Sequence, residues 1–202
     1  MQKVIDYYFA PSSPWTFLGH RRFVSLAAQY GAGINIKPVD LLGRVFPAAG
    51  GLSVSQRPKQ RIAYRAAELK RWRSHLGIQL NLAPKYFPVN CDIPSRMIIA
   101  ADLSCGPAQA LELAGRIMAG VWLEERNIAD PDTLTRIAAE AALDSKALLA
   151  MADQPVVGDR YAEYTQEAID KQVFGAPFYI YRDEPLWGQD RLDFLERALQ
   201  AP

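Results

Sequence analysis

The spacing of apolar positions changes twice along the chain. Residues 3–9, Lys-Val-Ile-Asp-Tyr-Tyr-Phe, are β-branched and aromatic, and they predict a buried strand. Ala10-Pro11-Ser12-Ser13-Pro14 interrupts it. Pro14 suits the first turn of a helix, with a Ser just before it as the cap. Trp15, Leu18, Phe23, Leu26 and Ala27 then recur at helical spacing until Gly31 and Gly33 stop the run. Residues 34–39 alternate again and predict a second strand. A strand–helix–strand opening suggests a βαβ unit.

A loop rich in Gly, Pro and small residues covers about 43–56, and the spacing is mainly helical from Arg57 to about Ala168. Ile62, Ala66, Leu69, Trp72 and Leu76 form one apolar stripe. An irregular connection containing prolines spans 77–90, and helices are predicted over 93–104, 107–127, 131–142, 145–152 and 158–170. Asp130-Pro131-Asp132 is a good helix start, with acids near the positive end of the dipole. Strand character returns at Phe178-Tyr179-Ile180-Tyr181, and again at Pro185-Leu186-Trp187 after a short turn. A final helix carries Leu192, Leu195 and Leu199 on one face, with Asp190 near its cap. The predicted order is β-α-β, a helical block, then α-β-β-α.

A length of 202 residues fits one domain, or one domain carrying a large insertion. Hydrophobic residues make up 50% of the chain, which excludes disorder, yet no stretch approaches the roughly 20 apolar residues of a membrane span. Lys+Arg is 23 against 22 for Asp+Glu, so a dedicated nucleic-acid binder is not expected. Cys91 and Cys105 are the only cysteines, and His20 and His75 the only histidines, so neither a disulfide framework nor a metal site is expected. The first residues lack the apolar region of a signal peptide, and the expected compartment is the cytoplasm.

Chemistry has four candidate locations. The first is Ser12-Ser13-Pro14-Trp15-Thr16, where free N–H groups at a helix N-terminus would stabilise a thiolate. No Cys lies there, so any thiolate must come from a ligand; taken alone, Ser13 reads more readily as a plain cap. The second is Phe174-Gly175-Ala176-Pro177-Phe178. A cis bond before Pro177 would expose the backbone of Ala176, while base rates of about 5–6% cis favour a trans bond. The third is Trp187-Gly188-Gln189-Asp190-Arg191, able to hold an amino-acid-like end of a ligand or to act as an ordinary cap. The fourth is a basic helix, with seven Lys/Arg between Arg57 and Arg73 against one acid, Glu68. Such a run attracts anions. Its commoner role is a solvated face, with one or two members turned towards a site. His20 follows Ser13 by about two helical turns and reads as a surface or packing residue, so no Ser-His-Asp arrangement is formed.

Taken together, these segments are more specific than any one alone. Asp6-Tyr7-Tyr8-Phe9 through Ser13-Pro14-Trp15, Val173-Phe174-Gly175-Ala176-Pro177, and Leu186-Trp187-Gly188-Gln189-Asp190-Arg191-Leu192-Asp193-Phe194 resemble the 2-hydroxychromene-2-carboxylate isomerase family. Lys37-Pro38-Val39-Asp40, Gly50-Gly51-Leu52, Ala63-Tyr64-Arg65 and Pro84-Lys85-Tyr86-Phe87-Pro88-Val89 extend the resemblance across the chain. That family is similar to kappa-class glutathione transferases and DsbA-like proteins. The resemblance implies an α/β thioredoxin fold with a large all-helical insertion. On that basis residues 1–45 and 155–202 make the thioredoxin-like domain and residues 46–154 the insertion.

By position, Ser13 replaces the attacking Cys of a thiol oxidoreductase and Thr16 the resolving one, so disulfide exchange by this motif is unavailable. The resemblance implies instead that Ser13 stabilises the thiolate of glutathione. It implies that Ala176, before Pro177, pairs with the cysteinyl backbone, and that Gln189, Asp190 and Arg191 hold the γ-glutamyl end. The glycyl end falls to Gln56 and Arg57. Family members carry a Lys where this chain has Gln56, so a charge contact passes to Arg57 or Lys59. Trp15, Tyr64, Tyr86 and Trp187 are expected as substrate walls. The implied reaction interconverts 2-hydroxychromene-2-carboxylate and trans-o-hydroxybenzylidenepyruvate in aromatic-compound catabolism, through reversible addition of the glutathione thiolate. A homodimer is implied as well. A kappa-like transferase acting on another electrophile and a non-catalytic DsbA-like glutathione-binding protein are the alternatives.

Overall fold

The computed structural model describes residues 2–201. Four strands form one sheet in the order β2-β1-β3-β4. They are β1 (Val4–Phe9), β2 (Gly33–Pro38), β3 (Phe178–Tyr181) and β4 (Glu184–Trp187). β1 runs parallel to β2 and antiparallel to β3, so Tyr7 lies between Ile36 and Tyr179. The parallel pair is joined by α1 (Pro14–Gln29), as a βαβ crossover requires.

β1 reads as an almost unbroken apolar run because both of its faces are covered. Ile5, Tyr7 and Phe9 point into the larger core beneath α1 and α5 (Pro107–Trp122). Tyr8 points the other way, into a smaller core with Val39, Phe178 and Ala168 of α8 (Pro155–Asp170). Tyr7 and Tyr179 stack with ring centroids 5.5 Å apart, and Phe23 of α1 tilts against both. At the sheet edge the buried Lys37 sits 3.0 Å from Asp6 and 2.8 Å from Glu167, tying β2, β1 and α8 together.

The remaining helices are α2 (Phe46–Ala48), α3 (Lys59–Leu76), α4 (Asp92–Cys105), α6 (Pro131–Glu140), α7 (Ser145–Ala152) and α9 (Leu192–Gln200). Caps set several ends. Asp130 accepts from the N–H groups of Asp132 and Thr133 to start α6, and Gly77, in the left-handed region at φ 64°, stops α3.

Three boundaries differ from the sequence reading. α5 ends at Trp122, because Glu125 takes the left-handed region at φ 54° and the N–H of Arg126 closes back on the carbonyl of Gly120. α8 starts at Pro155, three residues early, since Pro is favoured at the first helical position. The 43–56 loop holds local turns: a π-helical turn at Leu41–Val45 capped by Asp40, α2 itself, and a 3₁₀ turn at Val54–Gln56. The apolar stripe of α3 is only partly used. Leu69 alone is buried, and Ile62 keeps 38% of its surface. Among the described residues, no helix is long and apolar enough to cross a membrane.

Candidate active site

Ser13 is where the strand hands over to the helix. Its Oγ accepts from the N–H of Thr16 at 3.2 Å, capping α1, and donates to the carbonyl of Ala176 at 3.3 Å. The second bond is long, so the hydroxyl proton is easily redirected to a better acceptor. The Ala176-Pro177 bond is cis. The carbonyl of Pro177 accepts from the N–H of Gly188 at 3.0 Å, which joins the third segment to the first two.

That third segment is tightly fitted. Gly188 has φ 109°, and a side chain there would run into the carboxylate of Asp190. Gln189 is buried, its amide oxygen accepting from Arg22 at 2.8 Å. Asp190 pairs with Arg191 at 3.3 Å. The Trp187 indole lies directly over Gly175 and meets Phe174 edge-on, with ring centroids 4.7 Å apart.

A cavity of about 510 Å³ opens in front of these groups. One wall is Trp15, Ala176 and the run Trp187 to Arg191. The facing wall is Arg57, just before α3, and one side of α3 itself, with Arg61 and Arg65 beside Gln60 and Glu68, and with Tyr64 and Trp72 as flat apolar surfaces. Burial, helped by neighbouring arginines, holds Arg57 and Arg65 below the ordinary arginine value. A second, more open hollow of about 410 Å³ lies at the far end of α3, around Arg73 and Leu80. None of the residues above reaches it.

Trp15, Arg57, Tyr64, Ala176, Trp187, Gln189, Asp190 and Arg191 share the cavity wall, while Ser13 and Pro177 stand behind it and are joined to it through Ala176. Gln56 and Tyr86 are not on the cavity wall. The Gln56 amide oxygen accepts from Ser53 Oγ at 2.8 Å, closing a capping box at the surface. Tyr86 is drawn under Lys85, whose Nζ lies 5.0 Å from its ring, while Phe87 packs on Trp122. Arg61, Arg65 and Trp72 were missed as site residues. For Arg61 and Arg65 the signal was their four-residue spacing, which puts them on one side of α3, and Trp72, seven residues after Arg65, falls on that side too.

Neither of the chain's thiols lines the cavity. Cys91 donates to Ser12 Oγ at 3.0 Å, and burial pushes its thiol up to about 11, so it stays protonated. Cys105 is free and exposed at the end of α4. Thr16, in the place of a resolving thiol, is fully buried, and its Oγ1 has no partner among the described residues.

A parallel β1–β2 pair, an antiparallel return, and a helix N-terminus facing a cis-proline loop define a thioredoxin-fold protein. The DsbA-like thioredoxin domain family matches residues 4–200. The chain is 34% identical to a 2-hydroxychromene-2-carboxylate isomerase of Pseudomonas putida over 199 residues, covering 97% of this chain and 94% of that one. A solved structure of a 2-hydroxychromene-2-carboxylate isomerase superposes with TM-score 0.81 at 32% identity, covering 98% of this chain and 94% of the other. The cytosolic disulfide reductase DsbM of Pseudomonas aeruginosa, solved with GSH, shares the fold at TM-score 0.70 and 16% identity, covering 98% and 100% of the two chains. The chain belongs to the DsbA-like thioredoxin family and, within it, to the 2-hydroxychromene-2-carboxylate isomerases.

Proposed function

We propose that this protein is a glutathione-dependent isomerase that interconverts 2-hydroxychromene-2-carboxylate and trans-o-hydroxybenzylidenepyruvate. The observation that carries the reading is Ser13, held at the N-terminus of α1 with its hydroxyl on the carbonyl of Ala176, where an oxidoreductase would carry a thiol. The donor set suits glutathione. A hydroxyl and a helix N-terminus meet a thiolate, Asp190 meets an ammonium, and Arg57 and Arg191 meet carboxylates. A protein of the same fold has been solved with GSH.

When bound, glutathione supplies a thiolate that adds reversibly to the conjugated double bond and lets it rotate. Ser13 turns its proton from Ala176 to the sulfur and holds that anion. The backbone of Ala176 aligns the peptide as a neighbouring strand would. Trp15, Tyr64 and Trp187 offer flat surfaces on which a ring can lie.

The test follows the ultraviolet spectrum of the chromene with and without glutathione. Approach to an isomer mixture only with glutathione, and without its consumption, is expected. Ser13→Ala should lower the rate by roughly 10²–10³-fold. Loss of the cap alone costs about 1 kcal/mol, so the variant stays folded. An undiminished rate in Ser13→Ala would sink the reading, and steady consumption of glutathione would turn it into a transferase.

A further inference from the structure

Arg57, Arg61 and Arg65 stand four residues apart and all line the cavity. The acids beside them are engaged elsewhere, Glu68 with Arg71 and Asp190 with Arg191. The three arginines differ in what their donors already do. Arg57 donates Nε to the carbonyl of Leu52 at 2.9 Å and lies over Phe46. Arg61 is exposed to solvent. Arg65 is half-buried, its guanidinium 5.3 Å from the centre of the Phe87 ring, and it makes no hydrogen bond or ion pair among the described residues. Burial, then the nearby Arg57, hold it below the ordinary arginine value, as expected of a desolvated cation without a counter-charge.

Like charges facing a hollow are stabilised by an anion. A guanidinium offers a planar fork that matches two adjacent oxygens. Tyr64 and Trp72 flank Arg65 on the same wall and give a ring somewhere to lie.

We propose that Arg65 holds the carboxylate of an aryl-bearing 2-oxo acid, its fork spanning the carboxylate and the adjacent keto oxygen. The 2-oxo group and the identity of the acid rest on the isomerase reading; an aromatic anion is what the cavity itself calls for.

Three variants test it: Arg65→Gln, Arg65→Lys, and Lys70→Gln, which removes an exposed charge from the same helix outside the cavity. Binding of phenylpyruvate and of glutathione is measured by calorimetry, and turnover of the chromene by absorbance. Arg65→Gln should weaken phenylpyruvate at least tenfold and lower kcat/KM by roughly a hundredfold, with glutathione affinity unchanged within twofold. Arg65→Lys should recover only part, since an ammonium has no fork. Lys70→Gln should match the wild type. Full turnover and binding in Arg65→Gln would overturn the assignment while leaving the isomerase standing. Phenylpyruvate binding lost in Arg65→Gln, in a protein inert to the chromene, would uphold Arg65 and sink the isomerase. A wild type that binds no phenylpyruvate overturns the proposal.

Discussion

His20 shows how much one buried side chain can decide without touching the cavity. It is 4% exposed, between Tyr7 of β1 and the carbonyl of Leu111 in α5. A carbonyl can only accept, so Nε2 carries the proton at 2.9 Å, and Nδ1 accepts from the Tyr7 hydroxyl at 3.2 Å. The ring is thus held neutral, and burial drives its pKa from the ordinary 6.5 down to about 4. Between those values the unfolded chain binds a proton that the folded chain refuses, so stability falls as pH is lowered through that window. The loss approaches about 3 kcal/mol at its lower end. Melting temperature should therefore drop between pH 7 and 4.5. The drop should be shallower in His20→Gln, and parallel curves for the two proteins would refute the linkage. From sequence the histidine reads as a surface or packing residue, and its burial decides for packing. Its partners were not legible there, because Leu111 lies 91 positions away.

α3 stands apart among the elements. It runs 18 residues yet buries only Leu69, whereas α5 buries nine of its 16. The face that bears the arginines looks into the cavity rather than into a core. A helix so lightly packed opens locally at low free energy. Amide exchange over 59–76 should be at least tenfold faster than over 107–122, and glutathione should slow it by clamping the cavity wall. Equal protection in the two helices would contradict this account. The apolar spacing of α3 was visible in the sequence, and so was its charge. What periodicity could not give was which face meets the protein. Seven basic residues over 57–73 populate several faces, and only the docked helix sorts Arg65 from Lys70. Helix ends such as Trp122 failed for a related reason, since the left-handed turn at Glu125, three residues on, is set by the backbone closing from Arg126 onto Gly120 and leaves no mark in the apolar spacing.

At the scale of the whole molecule, the helical block does not have a core of its own. Tyr7, Phe9 and Ile36 of the sheet belong to one continuous cluster with Ile117, Trp122 and Leu134 of the helices. Unfolding in urea should therefore be a single transition, with tryptophan fluorescence and far-ultraviolet dichroism superimposable. Separate midpoints would show that the helices melt independently. The order of strands and helices was legible nearly throughout, because each carries its own period. The convergence of Ser13, Ala176 and Gly188 was legible only through resemblance, since no local pattern couples positions so far apart.

That convergence also sets a schedule. The cavity takes its walls from residue 15, from 57–72 and from 176–191. A ribosome delivers them in that order, at about 5–20 residues per second. For several seconds the nascent chain carries its hydroxyl and its arginines with nothing opposite them. The cavity therefore closes only once residue 191 has emerged, and a product terminated before residue 176 would lack one of its walls.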